Sequence, residues 1–139
     1  MALRYRTFPT TADMGVYIYG RTHEELFKNA ALAFSAIVKG KEVLKPSSEK
    51  EITLESPSLE TLLFLWLSEF LYFYDTSLFL PVEVRGIKIL EKKGFSVWSR
   101  IAFGKLLRTP EVYIKAITMH QIKIEKRKGL LRAKVVLDL

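Results

Sequence analysis

Asp13 stands in FPTTADMGVYIYG, residues 8–20, just ahead of a run that alternates like a β-strand. At the other end the chain closes on KVVLDL, so the Asp138 side chain and the α-carboxylate of Leu139 are neighbours. Brought beside Asp13, those two carboxylates make an all-oxygen nest that suits Ca²⁺, Mg²⁺ or Mn²⁺, not zinc or copper. Without a cation, like charges repel and raise one another's pKa. Spacing alone does not join the two ends, and the default expectation for a terminal acid is a frayed, solvated one.

Other candidates are sparse. Lys115, in VYIKAITM, alternates with Tyr113 and Ile117, and its default is a stem lying along apolar surface with the ammonium in water. Facing a carboxylate nest, it becomes a phosphate or partner contact. The chain has 2 histidines, too few for a multi-histidine zinc site without a partner chain. His23 falls in a helix first turn and is expected to be solvated. His120 sits in a long strand pattern, where a half-buried, hydrogen-bonded residue is expected. Glu69, inside an apolar helix, is expected on an exposed stripe. No Gly-rich phosphate loop, nucleophile elbow, zinc-protease helix or EF-hand loop is present. The chain has no cysteine, which removes disulfides, thiolate metal sites and cysteine nucleophiles and agrees with a reducing cytoplasm.

These residues need a scaffold, and 139 residues suit one domain over 1–139. A composition of 49% hydrophobic and 27% charged residues fits a folded chain rather than a disordered one. The net charge of +7 is uneven: residues 1–80 carry 8 Lys and Arg against 10 Asp and Glu, residues 81–139 carry 14 against 5. The basic half could face RNA or an acidic partner, although cations on strand faces also keep sheets soluble. MALRYRTFPT lacks the apolar core of a secretion signal. LETLLFLWLSEFLYFY, residues 59–74, is shorter than the roughly 20 residues of a spanning helix and is broken by Glu60, Ser68 and Glu69, so it reads as a core helix.

RYRTF and MGVYIYG read as two strands, with Val16 and Ile18 on one face and Tyr17 and Tyr19 on the other. In RTHEELFKNAALAFSAIV, Thr22 and Glu25 form a capping box, and Leu26, Ala30, Ala33, Phe34 and Ile37 recur at helical spacing. EITLES is a strand. From Pro81 the pattern is strand throughout, separated by KKG, GKLLRTP and KG, which read as hairpin turns. The expected class is α+β, two helices packed against a mostly antiparallel sheet. Strand order does not follow from this.

TTADMG, LLFLWLSEFLYFYD, VYIKAITMHQIKI and the closing LDL, in this order from residue 5 to residue 139, resemble the archease family. The resemblance implies an accessory protein and not an enzyme: an activator of the GTP-dependent RtcB-type RNA ligase of tRNA splicing and RNA repair. Such proteins promote ligase guanylylation, restore the ligase for further turnovers and broaden its nucleotide use. Members are also chaperone-like modulators of a tRNA cytosine methyltransferase. The family's acidic metal site, usually assigned to calcium, maps onto Asp13 and Asp138 with the terminal carboxylate of Leu139 alongside, and the family lysine is Lys115. It follows that the first and last strands lie close together and that a C-terminal extension is not tolerated. Two departures stand out: Thr10 replaces the family's usual His, and MHQ, with Met119 and Gln121, replaces Tyr-His-Asp.

Two rival classes remain. A basic RNA-binding module would show salt-sensitive RNA affinity, with Tyr17, Tyr19, Trp98 and Tyr113 available for stacking. A metal-dependent phosphohydrolase using Asp13 and Asp138 needs a general base and a positioned water, which so poor a histidine supply disfavours.

Overall fold

The structure, a computed structural model, describes residues 4–10 and 13–139. In chain order it forms β1 (Tyr5–Pro9), β2 (Asp13–Gly20), α1 (His23–Lys39), β3 (Ser48–Ser56), α2 (Leu59–Ser77), β4 (Phe79–Glu91), β5 (Phe95–Lys105), β6 (Ala116–Arg127) and β7 (Leu130–Asp138).

Helix α1 starts where the capping pattern puts it. Thr22 is the N-cap, and its Oγ1 accepts from the Glu25 N–H at 3.1 Å. The Glu25 carboxylate reaches back to the Arg21 N–H at 2.9 Å, one residue earlier than in the usual box. Leu26, Ala30, Ala33, Phe34 and Ile37 are all buried, as their spacing requires. Ser58 caps α2 in the same way, accepting from the Thr61 N–H at 3.1 Å. That helix buries Leu62, Leu63, Trp66 and Phe70 completely. Glu69 is half-buried rather than exposed, because so broadly apolar a helix leaves little free stripe. Among the described residues no helix is long and apolar enough to cross a membrane.

The strands are antiparallel throughout but form two sheets where the sequence suggests one. Four strands run in the order β1-β2-β7-β6 and three in the order β3-β5-β4. GKLLRTP is accordingly not a hairpin. It belongs to a crossover over residues 106–115 that carries the chain from one sheet to the other. Leu106 and Ile114, each 1% exposed, anchor the crossover. Its backbone is tied down by Leu106 N–H to Leu78 O at 2.9 Å and Glu111 N–H to Val38 O at 2.7 Å. KKG and KG do close hairpins, the latter with Lys128 and Gly129 at φ 51° and 78°, the two positive dihedrals that suit a two-residue turn.

Both helices touch both sheets: α1 packs on β2 and β4, and α2 on β6 and on β3, β4 and β5. Val16, Ile18, Val135 and Leu137 of the larger sheet join Val97, Ile101 and Phe103 of the smaller one in one hydrophobic cluster.

Candidate functional site

Strand β2 pairs with β7 over its whole length, and the register sets Asp13 directly opposite Asp138. Hydrophobic alternation fixes that register. Val16 faces Val135 and Ile18 faces Ala133, all 2% exposed or less, and a slip of one residue would turn every one of them to water. Residues opposed in an antiparallel pair project from the same face. Asp13 and Asp138 therefore share the outer face, alternating with the inward Met14 and Leu137. The strand that carries Asp13 is the second of the chain, and it, not β1, adjoins the last.

On its other side Asp138 faces Ala116 of β6. The Lys115 N–H donates to the Asp138 carbonyl at 2.7 Å. Lys115 is exposed and lies one residue before the strand, not within it. The expected alternation with Tyr113 and Ile117 is thus interrupted, with Ile114 turned into the core instead. Leu139 is partly buried against the core. So one end of the larger sheet brings together Asp13, Asp138, Leu139 and the backbone of Lys115.

The rest of the sequence motifs fall nearby or outside. Thr11 and Ala12 lie outside the described residues, while Thr10, where the family usually has His, is exposed. His120 and Gln121 are also exposed. The expected half-burial of His120 fails because the β6–β7 ladder breaks register between Thr118 and Lys123, which interrupts the alternation that placed it. His23 is half-buried, its ring edge-on to Phe95 at 6.1 Å.

Two carboxylates set side by side repel, and directly opposed like charges destabilise a sheet. A hard divalent cation reverses that sign, and the donor set is all oxygen, which fits Ca²⁺, Mg²⁺ or Mn²⁺. Among the described residues no three His, Cys, Asp or Glu side chains converge to hold a metal. A cation here would need further oxygens from the terminal carboxylate of Leu139, backbone carbonyls, water or a partner.

The same outer face carries groups that sequence reasoning did not gather. Phe8 stacks on Tyr17, with ring centroids 4.8 Å apart and planes inclined by 29°. Arg132 and Arg6 lie over the Tyr17 ring at 4.5 and 5.2 Å, and Lys134 over Phe8 at 6.0 Å. Glu125 accepts from Lys123, Arg132 and Arg127 at 3.1, 3.3 and 3.5 Å. Hydrogen bonding from Lys123, then the Coulombic field of Lys123, Arg127 and Arg132, holds its carboxyl below the usual glutamate range. The available signal was the outward alternation of Tyr17 with Arg132 and Lys134, which became readable only once β2 was known to pair with β7.

The family model described as the Archease protein family matches residues 5–139. Protein archease of Methanosarcina mazei is 37% identical over 98% of this chain and 96% of its own length. Its counterpart from Methanothermobacter thermautotrophicus is 32% identical over 97% and 98%. The solution structure of Methanobacterium thermoautotrophicum protein 1598 superposes with a TM-score of 0.81 at 31% identity, covering 98% of this chain and 99% of that one. The crystal structure of a Thermotoga maritima archease, called a possible chaperone, has the same fold, with a TM-score of 0.66 at 24% identity over 100% and 99%. A family match over nearly the whole length, together with relatives above 30% identity, places this chain in the archease family, the non-catalytic accessory factors that activate RtcB-type RNA ligases.

Proposed function

We propose that this protein acts in the cytoplasm as an activator of its RtcB-type RNA ligase, and that its working end is the carboxylate pair Asp13 and Asp138. The observation that carries the reading is the β2–β7 register, which sets the two acids opposite one another on the outer face of the sheet, Asp13 half-buried and Asp138 exposed. With the terminal carboxylate of Leu139 they would hold a divalent cation, calcium by preference, which would cancel two of the three negative charges and keep coordination positions open for oxygens of the partner. Docked at the ligase, this end of the sheet favours the arrangement in which the ligase is guanylylated, a shift of population that needs only better binding to that arrangement. Lys115, exposed beside the acids, serves as a point cation for phosphate.

The test is multiple-turnover ligation of a 2′,3′-cyclic-phosphate RNA by the cognate ligase, with this protein as wild type, Asp13→Asn, Asp138→Asn or Lys115→Ala. Loss of activation in both Asn variants, with thermal unfolding unchanged or slightly raised by removal of the like charge, is expected. Full activation by Asp13→Asn would remove the acid pair from the mechanism. Calorimetric titration with Ca²⁺ separates the metal from the rest: the Asn variants are expected to lose the binding that the wild type shows.

A further inference from the structure

The acid pair occupies only one end of the outer face of the four-stranded sheet. Four residues along β2 from Asp13, about 13 Å at the usual strand rise, lies Tyr17 within a group of five cations: Arg6, Lys123, Arg127, Arg132 and Lys134. Tyr17, Lys123, Glu125, Arg132 and Lys134 line a shallow cleft of about 190 Å³. Glu125 is the one acid within this group, so four positive charges are left over.

Solubility does not account for that surplus, because the second sheet solves the same problem differently. On its outward side Glu49 pairs with Arg85 at 3.3 Å and with Arg100 at 3.7 Å, and Glu83 lies 3.8 Å from Arg85. Glu51 and Glu55 are exposed on the same strand as Glu49, and Lys88 on the neighbouring side of Trp98. Charges there are balanced, while on the larger sheet cations are concentrated around an aromatic stack. That stack depends on Gly15: a Cβ at this position would come within 2.0 Å of the Phe8 ring, so only glycine lets Phe8 lie flat beside Tyr17.

We propose that the outer face of the four-stranded sheet is a docking surface for single-stranded RNA. Arg6, Lys123, Arg132 and Lys134 hold successive phosphates, and a base stacks on the Phe8–Tyr17 pair with an arginine displaced from the ring. A shallow, open sheet that mixes aromatic faces with cations fits a splayed single strand and offers no groove for a duplex. An acidic peptide would use the charges but not the stack. The choice of RNA over DNA rests on membership of a family that serves an RNA ligase; the surface itself does not depend on the acid pair.

The experiment is fluorescence anisotropy of a labelled, unstructured RNA dodecamer with the full chain across 25–200 mM salt. Four phosphate contacts predict a slope of log K against log salt of about −3, roughly 0.7 per contact. Arg132→Gln with Lys134→Gln is expected to lower the slope by about 1.4. Tyr17→Leu is expected to weaken binding about tenfold with the slope unchanged, since stacking is not ionic. Lys88→Gln with Arg100→Gln, on the other sheet, is expected to change nothing. Asp13→Asn is expected to bind RNA at least as well as wild type, so that failure of activation and failure of RNA binding are separate results. Absence of salt-dependent binding at 25 mM, an equal loss in the second-sheet variant, or tighter binding to an acidic peptide or to the matching DNA overturns the proposal.

Discussion

Glu125 is the residue whose state reports most directly on the basic face. Three cations lie within 3.5 Å of its carboxylate, and its pKa is lowered, first by the hydrogen bond from Lys123 and then by the charges of Lys123, Arg127 and Arg132. A carboxyl depressed in the folded state adds stability that is present above its unfolded pKa and is lost as pH falls through the folded one. Carbon-detected NMR should therefore show Glu125 titrating below ordinary glutamate, and Lys123→Ala should move the midpoint up further than Arg127→Ala. An equal shift in both variants would assign the depression to the general field rather than to Lys123. Gly15 gives a second expectation at this scale. Gly15→Ala puts a methyl where the Phe8 ring lies, so Phe8 must leave its stack, at a cost of about 1–3 kcal/mol by analogy with overpacking. Urea unfolding measures it, and a neutral result would mean that the ring moves freely.

The helices show what a local pattern can and cannot convey. Thr22 and Glu25 announce the start of α1 because capping is a contact between residues three apart, and Thr22→Ala is expected to cost about 1 kcal/mol in chemical unfolding. The end of α2 is not announced. Its apolar pattern stops at residue 74, yet the helix runs to Ser77, because neither glycine nor proline marks the stop and Leu78 takes the left-handed turn at φ 61°. A leucine there bears a steric cost that glycine does not. Leu78 is 40% exposed, so little packing is lost on truncation. Leu78→Gly is expected to be neutral or to stabilise by up to about 1 kcal/mol, and a loss of more than that in a thermal melt would show that the side chain, not the backbone, governs this cap. Strands were legible as strands for the same local reason, through the alternation of Val16 and Ile18 with Tyr17 and Tyr19. Their partners were not, since pairing joins residues far apart in sequence: the split into two sheets, the crossover at GKLLRTP and the exposure of His120 all follow from pairing. The alternation in VYIKAITM extends a strand through Lys115, one residue before β6 begins, because nothing in that run marks where the ladder starts. The meeting of Asp13 with Asp138 came from family resemblance alone; periodicity assigns each to a strand and says nothing of their being neighbours.

At the scale of the whole molecule, the two sheets share no strand, and their cohesion rests on the helices and the aromatic residues between them. The ring centroids of Phe27 of α1 and Trp66 of α2 lie 5.8 Å apart, those of Trp66 and Phe70 4.9 Å, and those of Phe70 and Phe103 of the smaller sheet 6.2 Å. Trp66 also donates its indole N–H to the Phe27 carbonyl at 2.9 Å. On the opposite side Ala30, Ala33, Phe34, Ile37 and Leu67 close onto Val16, Ile18, Val135 and Leu137 of the larger sheet around a void of only about 10 Å³. Neither sheet can separate without exposing a helix face that both sheets cover. Unfolding should then be a single cooperative transition, as expected of a domain this small. The check uses two probes that see different parts. With Trp98, 38% exposed, replaced by phenylalanine, fluorescence reports Trp66 alone, while far-ultraviolet circular dichroism reports helices and sheets together. Coincident midpoints in urea are expected. An earlier loss of the Trp66 signal would mean that the aromatic contact between helices and smaller sheet opens first, leaving the four-stranded sheet and its outer face folded without it.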